Sequence, residues 1–186
     1  MKLNRYTVYP GRHTFKLWGR VWGPPCIKRK VKRIEWVVRF TESCRYTLDN
    51  GDQDDWNKGG GVSFDLLTNH TDSAMWAWRW NPERQVIQLS TYCHVDGGVL
   101  KARTALGPDQ TSPEVVAEVE IGQTVDISLR IEHDRYAFTF ETAEGTSNYW
   151  TPHNHDKKLA RTIGAWFGGN RQAPQRIDIY LTRKID

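Results

Sequence analysis

Cysteine is scarce in this chain: Cys26, Cys44 and Cys93 are the only three. The count is odd and no CxxC spacing occurs, which argues against a disulfide framework and against a zinc site. Reduced thiols in or near a core are expected. Apolar runs are short. None approaches the roughly 18 residues that a membrane-spanning helix needs, so no span is expected. The leading residues Met1-Lys2-Leu3-Asn4-Arg5 lack the apolar stretch of a signal peptide, which gives an expectation of cytoplasmic synthesis without export. No stretch holds a 3.6-residue period over three turns, and no segment repeats at a fixed interval. The sequence contains no GxSxG elbow, no Walker loop, no GxGxxG after a strand and no HExxH. Paired carboxylates along one strand, as a glycosidase of this architecture needs, are also missing. No cofactor and no metal are therefore expected. Without an RNP-like aromatic motif or a zinc finger, nucleic acid is not an expected partner.

What is present is alternation. The chain has 186 residues, 38% of them hydrophobic and 26% charged, enough for one domain with its own core. Ile34, Trp36, Val38 and Phe40 face one way against Glu35 and Arg39. Val62, Phe64 and Leu66 follow the same rule, as do Ala74, Trp76, Trp78 and Trp80, and then Ile87, Leu89 and Thr91. Val115, Ala117, Val119 and Ile121 share a face. Val125, Ile127, Leu129 and Ile131 make the cleanest run, followed by Tyr136, Phe138 and Phe140, and finally Ile177, Ile179 and Leu181. A period of two marks half-buried strands. Between the runs stand turn signals such as Asp49-Asn50-Gly51, Gly59-Gly60-Gly61, Asn81-Pro82 and Gly107-Pro108. Residues 84–103, broken at Asp96-Gly97-Gly98, read as a long hairpin. A single helical turn is expected around His155 to Arg161. The pattern predicts an all-β chain, a two-sheet antiparallel β-sandwich of the jelly-roll kind.

Charge is unevenly spread. The chain carries +4 overall, but residues 1–40 hold +10 and the remainder −6. Residues 1–30 differ in texture, with Phe15, Trp18 and Trp22 closed by Gly23-Pro24-Pro25, and read as a basic aromatic arm or hairpin ahead of a β-sandwich domain over 31–186. Lys28, Arg29, Lys30, Lys32 and Arg33 form the densest basic run. It can dock an acidic surface of a protein partner, or it can serve as a solvated strand edge that discourages edge-to-edge pairing.

The nine tryptophans are the most prominent feature. Trp76, Trp78 and Trp80 stand at i, i+2 and i+4 and so form a ladder on one face of a strand. The ladder is either the core of a thick sandwich or an outer platform that stacks on sugar rings. In the first case Arg79 centres the opposite face. A polar row of Arg79, Gln88, Tyr92 and His94 then shares one sheet surface by strand parity. Such a set can neutralise the carboxylate of an acidic sugar and exchange protons with it, which is lyase chemistry, or it can be an ordinary solvent-facing surface. The acidic segment Asp49 to Asn57 reads as a solvated turn, since it does not fit the EF-hand pattern. His153 and His155 offer two imidazoles at a spacing that does not suit a metal.

The segment Ala165-Trp166-Phe167-Gly168-Gly169-Asn170-Arg171, running on to Ile177, resembles a closing motif of small uncharacterised proteins of Bacteroidota and their phages. Phe40 to Tyr46 and Asp55-Trp56-Asn57-Lys58 resemble other parts of that group. In overall texture the chain resembles the concanavalin A-like jelly rolls, which include lectins, glucanases and alginate-lyase-type polysaccharide lyases. Against those lyases the chain departs: their Gln-Ile-His motif has no match beyond Tyr92-Cys93-His94, and Trp166-Phe167-Gly168 stands where they carry Tyr-Phe-Lys. The resemblance bears on fold and origin more than on activity; the expected function is a non-enzymatic jelly-roll module of phage origin, either a virion accessory protein such as a head decoration or fibre, or a glycan-binding module. The alternative is a lyase on an acidic glycan, with Arg79, Gln88, Tyr92 and His94 as its residues.

Overall fold

The computed structural model describes residues 2–17, 20–21, 27–48, 51–100, 103–104 and 115–186. Its strands form two antiparallel sheets. In the nine-stranded sheet the spatial order is β10 (Arg103–Thr104), β14 (Gly145–Pro152), β13 (Arg135–Thr142), β12 (Thr124–Ile131), β5 (Arg33–Phe40), β16 (Ile177–Ile185), β1 (Asn4–Val8), β2 (Lys16–Leu17) and β3 (Arg20–Val21). The seven-stranded sheet runs β11 (Ala117–Val119), β8 (Val86–Val95), β7 (Ser73–Asn81), β6 (Asn57–Ser63), β15 (Leu159–Ile163) and β4 (Ile27–Arg29), with β9 (Gly98–Leu100) also paired to β8. No helix among the described residues is long and apolar enough to cross a membrane.

The inner faces meet in one core. Ile34, Trp36, Val38 and Phe40 of β5, Val125, Ile127 and Leu129 of β12, and Phe138 and Phe140 of β13 contribute from one side. Trp76, Trp78, Trp80, Ile87 and Leu89 contribute from the other. Trp36 meets Trp76 edge-on at 6.4 Å between ring centroids, and Phe40 meets Trp78 at 5.1 Å. Indoles of this size fill a sandwich layer about 10 Å thick.

The ladder also explains β6. Gly59-Gly60-Gly61 reads as a turn in the sequence, yet it lies inside a strand that pairs with β7 through a bulge between Lys58 and Gly60. A Cβ on Gly59 would stand 2.1 Å from the Trp76 ring, and one on Gly61 would stand 2.0 Å from the Ala74 carbonyl oxygen. These glycines let a backbone approach the ladder closely. The helical turn expected around His155 is corrected as well: residues 153–158 form no helix, and β15 begins at Leu159.

The leading segment is built into the sandwich where it is described. β1 lies between β16 and β2, and Tyr6 and Val8 are buried in the core. Trp18, Trp22, Gly23, Pro24 and Pro25 lie outside the described residues, as does Cys26. Lys28 and Arg29 stand exposed on β4, the last strand of its sheet, followed by exposed Lys30, Lys32 and Arg33.

Candidate functional site

Strand parity puts the ladder and the polar row on opposite faces of the same sheet. Trp76 and Trp78 are fully buried and Trp80 is 3% exposed, all three against the nine-stranded sheet. Their reading as a sugar-binding platform is therefore corrected: an indole sealed between two sheets has no face left for a ligand. The outer face carries Ser73, Met75, Ala77 and Arg79 of β7 beside Gln88, Ser90, Tyr92 and His94 of β8.

That face is walled by loops and holds a groove of about 870 Å³. β8 supplies Tyr92 and His94, β7 supplies Met75, and β6 supplies Lys58. The β6–β7 connection adds Asn69 and His70, and residues 164–170 close the other side with Trp166 and Asn170. Cross-strand register explains the juxtaposition. Ser73 pairs with His94 and Met75 with Tyr92, while Lys58 comes from the next strand over.

Within the groove the Tyr92 and His94 rings lie 5.4 Å apart, and His70 stands edge-on to His94 at 5.3 Å. Ser73 Oγ lies 3.0 Å from His94 Nδ1. Lys58 Nζ sits 4.2 Å from the Tyr92 ring centre and donates to the Trp56 carbonyl at 2.7 Å. Burial lowers the His94 pKa, helped by His70 and Lys58. Burial raises the Tyr92 pKa, helped by Asp55. Burial also lowers the Lys58 pKa, against the pull of Asp55. Near neutral pH the site thus presents a phenol that keeps its proton and an imidazole that stays neutral.

Arg79 and Gln88 occupy a different place. They pair directly, Arg79 Nε donating to Gln88 Oε1 at 2.8 Å, and Gln88 Nε2 donating to Glu118 at 2.9 Å. The guanidinium also covers the Trp56 ring at 4.4 Å and donates to the Asp54 carbonyl at 2.9 Å. Gln88 lies four residues before Tyr92 on β8, about 13 Å at about 3.3 Å per residue. The structure brings Tyr92 and His94 together and leaves Arg79 and Gln88 outside their groove, held by their own partners. Lys58, His70 and Trp166 complete the site in their stead.

Trp166 is the tryptophan that lines the groove and reaches solvent. It is 42% exposed and stacks on His13 at 4.9 Å with planes 9° apart. Backbone bridges to Thr14 and Lys58 fix its place.

No protein-family model matches the chain and no curated protein matches it in sequence. Solved structures do resemble it. An alginate lyase from Klebsiella pneumoniae superposes with a TM-score of 0.57 at 14% identity, over 85% of this chain and 60% of that one. A functionally unknown protein from Saccharomyces cerevisiae superposes with a TM-score of 0.56 at 8% identity, over 98% of this chain and 88% of that one. The fold is a concanavalin A-like jelly roll. This jelly roll spans 60% of the length of the lyase it resembles, and the likeness extends to the fold alone. Nothing in these comparisons bears on the resemblance to proteins of Bacteroidota and their phages.

Proposed function

We propose that this jelly roll is a glycan-binding module and that its ligand lies in the groove on the outer face of the seven-stranded sheet. The observation that carries the reading is the pairing of the exposed Trp166 indole with Tyr92, His94, Lys58 and Asn170 around one cavity of about 870 Å³. A cavity of this size, with an aromatic wall and a few convergent polar groups, suits a small set of sugar rings. His13 occupies one face of the indole, and the other is offered to the C–H face of a sugar. The fold shared with an alginate lyase supports a carbohydrate as the ligand class. Titration with neutral and acidic polysaccharides, followed by tryptophan emission and ultraviolet absorbance together, tests it. A change in emission without new absorbance supports binding. No response to any polysaccharide, confirmed by calorimetry, removes the reading.

A second reading rests on the contact of Tyr92 with His94. On an acidic glycan, neutral His94 takes the C5 proton and protonated Tyr92 gives its proton to the departing glycosidic oxygen. The C4–O bond breaks as the C4–C5 double bond forms. Lys58 and Arg183, not Arg79, are the cations that line this groove and can meet the uronate carboxylate. New ultraviolet absorbance from an unsaturated product supports elimination, and unchanged rates in a Tyr92→Phe, His94→Ala double variant sink it. The virion role expected from the sequence draws no support from the fold or the groove. An acidic partner on the basic β4 edge is a separate proposal, tested by whether neutralising Lys28, Arg29 and Lys30 weakens capture of such a partner.

A further inference from the structure

Ser73 is fully buried under the groove floor, and its single hydroxyl proton has two candidate acceptors. Its Oγ lies 2.6 Å from the Asn69 carbonyl oxygen and 3.0 Å from His94 Nδ1. A carbonyl oxygen can only accept. Two oxygens at 2.6 Å need a proton between them, so Ser73 donates to Asn69. The hydroxyl has no second proton for the imidazole. Its remaining contact with His94 holds only if Nδ1 carries the hydrogen and donates to the serine oxygen.

We infer that Ser73 fixes His94 as the Nδ1–H tautomer and that the groove therefore meets its ligand with an unprotonated Nε2, an acceptor for a sugar hydroxyl. His94 lines the groove, and Nε2 makes no hydrogen bond of its own among the described residues. The neighbours that could donate to it are placed otherwise. Tyr92 and His70 approach ring to ring, and Lys58 lies over the Tyr92 ring. A neutral imidazole has one donor and one acceptor nitrogen, so a hydrogen held on Nδ1 by Ser73 leaves Nε2 as the acceptor. Ser73 is thus a positioning residue, and it acts on the ligand only through His94. The ligand half of this inference rests on the glycan reading of the groove, while the tautomer half does not.

The two halves are tested separately. Long-range proton–nitrogen correlation spectra of the ¹⁵N-labelled protein near neutral pH report which His94 nitrogen carries the hydrogen, with His94→Gln supplying the assignment. The expected result is a protonated Nδ1 and a bare Nε2 in the wild type, a mixture of tautomers in Ser73→Ala, and the wild-type pattern restored in Ser73→Thr. A wild-type His94 protonated at Nε2 overturns the inference. So does a Ser73→Ala variant that folds and keeps the wild-type tautomer. If that variant does not fold, the wild-type spectrum alone decides. For the ligand half, the strongest-binding polysaccharide of the panel is titrated against His94→Gln, which keeps an acceptor, and His94→Leu, which has none. A tenfold or greater loss in His94→Leu, larger than in His94→Gln, supports the hydroxyl contact, and equal losses overturn it. A panel without any binder would sink the glycan reading and the hydroxyl contact together, and leave the tautomer result standing.

Discussion

Lys58 Nζ stands 4.2 Å from the centre of the Tyr92 ring, within cation–π range, on a lysine that burial has already begun to strip of water. The same ammonium lowers the His94 pKa, after burial and His70. A single lysine therefore packs on the Tyr92 ring and disfavours protonation of His94, while burial and Asp55 are what raise the Tyr92 pKa. Lys58→Met removes the charge and keeps most of the stem. The His94 pKa is expected to rise toward the ordinary histidine value, because one cation that opposed its protonation is gone. An NMR titration of the His94 ring reads this directly. A value that stays put or falls would separate Lys58 from the electrostatics of the groove.

Trp78 and Trp166 should behave as opposites. Trp78 is fully buried and packs against Phe40, Tyr46 and Phe15. Trp78→Ala is expected to cost about 3–5 kcal/mol of stability. Trp166 is 42% exposed, and its stack on His13 is worth about 1 kcal/mol. Urea unfolding of both variants checks the contrast, and similar losses would contradict the division into core ladder and groove aromatic.

Gly61 faces backbone on β7. An added Cβ would stand 2.0 Å from the Ala74 carbonyl oxygen and 2.7 Å from the Met75 Cα, neither of which can turn aside. Gly61→Ala is expected to destabilise by about 1–3 kcal/mol, through a lower urea midpoint at unchanged slope. An unaffected midpoint would mean that β6 does not approach the β7 backbone as described.

His155 supplies a pH dependence. Burial, together with its stack on His153 at 4.2 Å, pushes its pKa down to about 4 from the ordinary 6.5. Asp72 pulls the other way, while Lys157 adds to the lowering. The unfolded chain then binds more protons than the folded one between these values. Stability from this group is full above pH 6.5 and is lost as pH falls toward 4. Burial lowers the His153 and His94 pKa values too, so their slopes carry the same sign. Unfolding midpoints measured from pH 8 to pH 4 should fall in that window, less steeply in His155→Gln. An identical slope in the variant would clear His155 of any part in it.

The alternation of Val125 to Ile131 names β12 almost to the residue, because one face is buried and the other is not. The same parity separates the tryptophans from Tyr92 and His94. Parity alone cannot say which face is sealed, and it cannot measure distance along a strand, so Arg79 and Gln88 look equivalent to Tyr92 and His94 until the register is known. Lys58, His70 and Trp166 were invisible as a group. They come from β6, the β6–β7 connection and the loop after β15, and only tertiary folding joins them. The glycines at 59–61 read as a turn for a related reason: Gly59 leaves room for the Trp76 ring and Gly61 for the β7 backbone, both on another strand.

Calorimetric titration of the strongest-binding polysaccharide into wild type, Trp166→Ala and Thr146→Ala tests the groove most directly. Thr146 lines a different cleft, near Glu118 and Arg84. The account predicts a tenfold or greater loss of affinity in Trp166→Ala, with Thr146→Ala binding as wild type. Full affinity in Trp166→Ala, or a loss confined to Thr146→Ala, would place the ligand elsewhere and contradict the account.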